Sequence, residues 1–321
     1  MARPLVSVII SAYNRPSMLE QALISVRSQT YDPIEILIQD DSTNDACEKI
    51  VEIYRDDARI RYSRNRPPLG TSLNLRAGYR SSRGKYFCTL NDDDLYDAKY
   101  IETMVEAMER DSRYSIAFSD SYLIDQNGQI KEEETEANTR DSYRSLLQEG
   151  SVENTLEVGL VSKSIPGMLA LFRRDSIDLD DFPPEVSSGY DYWVTYLALR
   201  DGSPVYYTPQ RLTYYRIHDG SQTASFVDPE QRLRFSKYSQ YIHERFLADP
   251  RLKSIHSALY PRLAQAHSLA GFSRLRLQDR RQAFREFVAS YRVQPGRTAV
   301  LGFAMCLAPL SAIRFALHRR G

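Results

Sequence analysis

The sequence predicts an α/β fold: a doubly wound, mostly parallel sheet followed by a helical C-terminal appendage. Three observations carry this. Apolar strand-like runs alternate with amphipathic helical stretches through the first 120 residues, the rhythm of βα units around a parallel sheet. Polar clusters close three of those runs, at 11–14, 40–42 and 91–94, and ligands gather at the carboxyl ends of such strands. From about residue 229 the pattern becomes wholly helical.

Val6 to Tyr13 reads as a continuous apolar strand, the kind buried on both faces. Asn14-Arg15-Pro16 breaks it, and Pro16 to Ser28 has helical spacing, with Pro tolerated in the first turn. Ile34 to Gln39 is the next strand and Ala46 to Tyr54 the next helix. A short strand at Arg61-Tyr62 and a helix over Thr71 to Ser81 follow. Lys85 to Leu90 is a strand ending in Asn91-Asp92-Asp93-Asp94, then come a helix over Ala98 to Arg110 and a strand over Ser115 to Ser119. The acidic stretch Asp125 to Glu136 is expected as an exposed loop or short hairpin, and Gly189 to Arg200 as a helix. Val205 to Tyr207 and Arg211 to Tyr215 read as two short strands. His267 to Leu277 and Arg280 to Arg292 form an antiparallel pair like one tetratricopeptide unit, too few for a solenoid.

At 321 residues the chain suits one large domain, or a domain with an appendage. Lys plus Arg equals Asp plus Glu, at 42 each, so no global charge draws it to nucleic acid. The 22 tyrosines suit a sugar-handling surface and equally a packed core. Cys47, Cys88 and Cys306 are widely spaced and odd in number, neither a metal motif nor a disulfide framework. A reducing cytoplasm is the natural expectation, and no charged-then-apolar leader pattern opens the chain. Thr298 to Ile313 carries no charge and is followed by Arg314, Arg319 and Arg320. That run is short of the roughly 20 residues that span a bilayer. It packs on the protein or lies in a membrane interface with its basic end toward anionic lipid.

The acidic turn is the chemical centre of the sequence. Two carboxylates about 4 Å apart repel by about 4 kcal/mol at an effective dielectric near 20. A fold that sets three aspartates after a buried strand offsets this with a cation, and hard oxygen ligands suit Mn²⁺ or Mg²⁺. The bland alternative is a solvated loop in which one Asp caps the next helix, with Asp97 the better cap. Asp41, at another strand end, can accept hydrogen bonds from a nucleobase or ribose, or simply form a turn.

The runs VSVIISAYNRPSMLEQALISVRSQTYDPIEILIQDDSTND and LGTSLNLRAGYRSSRGKYFCTLNDDDLY, then GYDYWVTYLALRDG and LTYYRIHDGS, together resemble the family-2 inverting glycosyltransferases of the GT-A fold. The resemblance covers residues 5 to about 222 and leaves 223–321 outside it, so a GT-A domain over 1–222 and a helical region over 223–321, membrane-associated if anywhere at 298–321, are expected. It implies that Ser11, Tyr13 and Asn14 line a nucleotide pocket and that Asp41 binds the base. Asp93 matches the metal-binding aspartate and Asp92 would contact ribose or metal. Asp191 falls where the family has its catalytic base; as a residue alone it could merely complement the dipole of its helix. Arg216 and His218 would sit near the diphosphate, His218 also as a metal ligand, and Gly167-Met168 would wall the acceptor side. Asn91 departs from the family pattern, which has Asp there.

The implied function is transfer of a sugar from a nucleoside diphosphate sugar, UDP-sugar favoured, to the hydroxyl of a saccharide or lipid-linked acceptor. Polysaccharide or glycoconjugate synthesis in the cytoplasm, at the inner face of the cell membrane if the tail binds lipid, is the setting this suggests. Asn91 leaves room for one rival, a catalytically degenerate nucleotide-binding scaffold. A nucleotidyltransferase would want a Gly-rich phosphate loop after the first strand, and Ser11-Ala12-Tyr13-Asn14 is not one.

Overall fold

The computed structural model describes residues 3–218, 220 and 228–308, in two compact units, 1–217 and 218–321. In the first unit a mixed α/β architecture surrounds one sheet, nine-stranded among the described residues, in the order β3-β2-β1-β4-β8-β6-β9-β5, with β7 also on β9.

The parallel half follows from the sequence rhythm. β1 (Val6–Ala12), β2 (Ile34–Asp40), β3 (Ile60–Arg64) and β4 (Tyr86–Asn91) alternate with α1 (Pro16–Arg27), α2 (Ala46–Ile53) and α3 (Thr71–Ser81). β1 pairs in parallel with both β2 and β4. Successive side chains of a strand point to opposite faces, and here both faces are covered. Val6, Val8, Ile10 and Ala12 join one core with Leu19, Leu23 and Val26 of α1 and with Tyr100, Ile101 and Met104 of α4 (Tyr100–Arg110). On the other face Ile9 meets α3 so closely that only a glycine, Gly78, fits between them. This two-sided burial is why these strands read as unbroken apolar runs.

The second half departs from a simple parallel order. β8 (Ala170–Arg173) lies antiparallel between β4 and β6 (Ile116–Ile124). The segments expected as two strands form one, β9 (Val205–Arg216), parallel to β6. Ser119 pairs with Thr208 and Asp120 with Arg211, so Pro209 and Gln210 bulge out between them. Proline has no N–H to give a ladder and is tolerated at such a bulge. The short strands β5 (Leu95–Tyr96) and β7 (Gly150–Val152) both pair antiparallel with β9.

The stretch expected as an acidic loop or hairpin holds both a turn and a helix. Asp125 Oδ1 accepts the N–H groups of Asn127 and Gln129, and Ile124 bridges Ile130. α5 (Glu132–Asp141) then begins with three glutamates, which suit a helix N-terminus. Its buried Thr135 accepts the Leu123 N–H at 2.9 Å. α6 (Tyr190–Leu199) is buried over nearly its whole length, not on one face only.

The second unit is helical: α7 (Pro229–Ala248), α8 (His256–Arg276), α9 (Arg280–Val293) and α10 (Arg297–Leu307). Asp228 caps α7 by accepting the Glu230 and Gln231 N–H groups. α8 and α9 are the expected pair, with α8 longer than expected; Ser268 and Ser290 hydroxyls meet at 2.9 Å, and Gly271 lets the Phe287 ring approach. Most of the uncharged C-terminal run is α10, and residues 309–321 lie outside the described residues. No described helix is long and apolar enough to cross a membrane.

A methyl at Gly78 would sit 2.6 Å from Ile9 Cγ2 and 2.9 Å from Gln39 Cγ. Gly78→Ala is therefore expected to destabilise the first unit by about 1–3 kcal/mol through overpacking, read as a lowered thermal or urea midpoint.

Candidate active site

The carboxyl ends of β1, β2 and β4 converge because these three strands are neighbours. At the end of β1, Asn14 adopts a left-handed backbone, φ 56°, which Asn tolerates better than most residues. Its N–H donates to Ser42 Oγ at 2.8 Å. Its side-chain Oδ1 accepts from the Thr43 N–H at 3.0 Å and from the Asn44 amide. Asn14 thus ties the β1 and β2 ends together. Tyr13 beside it is half exposed.

Asp41, expected at the base, is buried and occupied by its own chain. Its carboxylate accepts the N–H groups of Leu69 at 2.7 Å and Gly70 at 2.8 Å, and the Asn65 amide at 3.0 Å. Asn65 also donates to Asn74 Oδ1 at 2.7 Å, and Asn74 makes a long 3.5 Å contact with Ser11 Oγ. A polar chain therefore runs from Asp41 to Ser11. An open groove of about 540 Å³ lies alongside, between Ser42–Asp45 and Arg64–Pro68. Arg64 and Arg66 both pair there with Glu48, at 2.9 and 3.0 Å.

The three aspartates of the acidic turn do not act alike. Asp92 Oδ2 accepts the Tyr13 N–H at 2.7 Å, and its Oδ1 lies 3.0 Å from Arg15 Nη1. The same Nη1 lies 2.7 Å from Asp93 Oδ2. Burial, with the neighbouring Asp93 charge, pushes the Asp92 carboxyl up to about 7, against the pull of the Tyr13 N–H and Arg15. Asp94 is fully buried and accepts the Arg216 N–H at 2.9 Å. Burial and the Asp93 charge hold its carboxyl well above the usual carboxylate range. Asp97, the expected cap, accepts the Lys99 N–H at 2.9 Å, but α4 starts later than expected, with Lys99 at its N-cap and no side-chain cap bond.

Arg216, expected near the diphosphate, lies 2% exposed beneath the acidic turn. Nε donates to the Asp93 carbonyl at 2.8 Å, Nη1 to the Asp125 and Gln126 carbonyls at 3.2 Å, and Nη2 to Gln21 Oε1 at 2.9 Å. Each side-chain nitrogen has a partner, Nε on the acidic turn itself and the other two on residues 125–126 and Gln21. Arg15, which the sequence reading passed over, is the arginine on the carboxylates.

Asp191 opens α6 and is partly accessible. Burial raises its carboxyl above the ordinary carboxylate value, opposed by the Tyr192 N–H and the Lys163 charge. Its neighbour Tyr190 reaches across to the acidic turn, donating its hydroxyl to Asn91 Oδ1 at 2.6 Å. Asn91 Nδ2 in turn points to Asp94 Oδ2 at 3.4 Å. The departure at 91 thus has a local reason: an amide both accepts and donates, whereas a carboxylate only accepts. Gly167 packs on the same helix start, where a methyl would fall 2.2 Å from the Asp191 carbonyl. His218 is the first residue of the second unit.

The donor set suits a hard divalent ion that completes its shell with phosphate and water. No group of three or more His, Cys, Asp or Glu that could hold a metal occurs among the described residues. Asp92 Oδ1 and Asp93 Oδ2 nevertheless already share one cationic nitrogen. Mg²⁺ is commonly held by one or two carboxylates plus substrate phosphates.

The model of Glycosyl transferase family 2 matches residues 7–179. The chain belongs to glycosyltransferase family 2. An uncharacterized glycosyltransferase of Haemophilus influenzae is 31% identical over 237 residues, 71% of this chain and 70% of its own length. The GalNAc(5)-diNAcBac-PP-undecaprenol beta-1,3-glucosyltransferase of Campylobacter jejuni is 29% identical over 132 residues, 40% of this chain and 42% of its own. Among solved structures, S. aureus TarS 1–349 in complex with UDP-GlcNAc superposes with a TM-score of 0.66 at 18% identity, covering 96% of this chain and 87% of that one. A longer TarS chain is covered to 50% of its length. The mannosyltransferase PcManGT from Pyrobaculum calidifontis, in complex with GDP-Man and Mn²⁺, gives 0.59 at 16% identity over 98% and 83%. These structural matches establish the GT-A type fold.

In this glycosyltransferase an Asn91→Asp change would set a carboxylate against the buried Asp94 and remove the amide donor. A loss of about 1–3 kcal/mol is expected near neutral pH. The loss should shrink on acidification, as a protonated carboxyl regains a donor; thermal melts across pH check it.

Proposed function

We propose that this glycosyltransferase moves a sugar from a nucleoside diphosphate sugar, a UDP-sugar by preference, to an acceptor hydroxyl with inversion at the anomeric carbon. The observation that carries the reading is the link between two carboxylate sites. Asp92 and Asp93 meet on one cation at the strand ends, and the Tyr190–Asn91 hydrogen bond joins that turn to the helix opened by Asp191.

Asp191 is the proposed general base. A carboxylate raised above its ordinary pKa by burial is a stronger base at neutral pH. It takes the proton of the acceptor hydroxyl as that oxygen attacks the anomeric carbon. The bond from this carbon to the diphosphate oxygen breaks with its electron pair on the diphosphate, and one displacement inverts the centre. Asp93 with Asp92 would hold Mn²⁺ or Mg²⁺, which offsets charge on the departing diphosphate. Ser11, Tyr13 and Asn14 line the nucleoside side. Asp41 is proposed to act there mainly by shaping the loop at 65–70, since its oxygens already accept three donors.

The UDP preference rests on the family's commonest donor and on the UDP-GlcNAc bound to TarS. A lipid-linked saccharide acceptor is supported by the undecaprenol-linked name of the Campylobacter jejuni relative.

Asp191→Asn should lower kcat by on the order of 10²–10⁴-fold while UDP binding, measured by calorimetry, stays near wild type. Near-normal transfer by that variant would remove Asp191 from the role. The base works only when deprotonated, so activity should fall as pH drops through the raised Asp191 pKa. The acid limb of the kcat/KM profile is then expected above the ordinary carboxylate range. Chelation with EDTA should abolish transfer and added Mn²⁺ should restore it; full activity in EDTA overturns the metal assignment.

A further inference from the structure

We propose that Arg15 is a built-in counter-cation of the acidic turn, one that a divalent ion must displace in order to bind. This rests on the metal reading above and adds a residue to it.

A single nitrogen, Arg15 Nη1, makes both contacts, 3.0 Å to Asp92 Oδ1 and 2.7 Å to Asp93 Oδ2. A bidentate arginine would instead set two nitrogens against one carboxylate. A hard divalent ion held by these aspartates would need the same carboxylate oxygens. Arg15 and the ion therefore contend for the same two oxygens.

Of the two arginines at the turn, Arg15 is the more accessible. The Arg15 side chain is 26% exposed, whereas Arg216 is 2% exposed with its nitrogens on carbonyls and an amide beneath the turn. The backbone of Arg15 is anchored directly before Pro16, which opens α1, so a displaced guanidinium stays at the site. Arg64 and Arg66 on the neighbouring groove are taken by Glu48. A diphosphate arriving with the ion brings negative charge for the released Arg15 to meet. Metal binding is thereby coupled to donor binding: an ion alone must overcome Arg15, and an ion with a nucleoside diphosphate gains from it.

The test is a titration of the full chain with Mn²⁺, followed by EPR of free Mn²⁺, with and without UDP, in wild type, Arg15→Gln and Arg15→Lys. If Arg15 holds the carboxylates about nine-tenths of the time, its removal should tighten binding of Mn²⁺ alone by on the order of tenfold. UDP should strengthen Mn²⁺ binding less in Arg15→Gln than in wild type, while Arg15→Lys, which keeps the charge, stays near wild type. Metal-free Arg15→Gln should melt at lower temperature and gain more from Mn²⁺ than wild type does. Unchanged or weaker Mn²⁺ binding by folded Arg15→Gln overturns this proposal and leaves the metal reading standing. Absence of Mn²⁺ binding to wild type, with or without UDP, overturns both.

Discussion

Repulsion among the three aspartates that follow β4 is the constraint around which the active-site end of the sheet is arranged. Three carboxylates in consecutive positions cannot be met in the same way within a buried turn. Asp92 receives a backbone N–H from the end of β1 and shares Arg15 with Asp93. Asp94 is instead turned inward, where burial disfavours its charge and the Arg216 N–H and Asn91 amide serve its oxygens. The turn is thus divided: two acids face a cation and the third is part of the interior.

That division depends on β9. Leu95 and Tyr96 pair with Tyr214 and Thr213, which brings Arg216 under the turn. Its guanidinium then satisfies carbonyls of residues 93, 125 and 126, buried acceptors that would be costly to leave unpaired. Arg216 therefore helps build the acidic turn. The Asp92 and Asp93 carboxylates are met by Arg15, which is the more accessible of the two arginines.

The ends of β1 and β2 show the same preference for internal hydrogen bonds. Asn14, Asp41, Asn65 and Asn74 are joined to loop backbone and to one another, so the loops after β1 and β2 are held before any ligand arrives. Such preorganisation lowers the ordering cost of binding. The Tyr190–Asn91 contact likewise registers α6, with Asp191 at its start, against the acidic turn.

The sequence by itself determined the parallel half of the sheet, its helices, the strand ends where polar residues gather, and the family. Those features are local: periodicity over a dozen residues marks buried strands and helices, and a polar cluster after an apolar run marks a strand end. The sequence did not reveal that β8 would run antiparallel between β4 and β6, or that Pro209 and Gln210 would bulge within one strand. It also hid which distant groups answer the residues of the acidic turn. Arg15 meets Asp92 across 77 positions, Tyr190 meets Asn91 across 99, and Arg216 meets Asp94 across 122. Such partners are set by strand order and by which face each residue takes after folding. Tertiary structure alone decided that Arg216 is buried, that Arg15 is the cation on Asp92 and Asp93, and that an amide at 91 answers two neighbours of opposite hydrogen-bonding need.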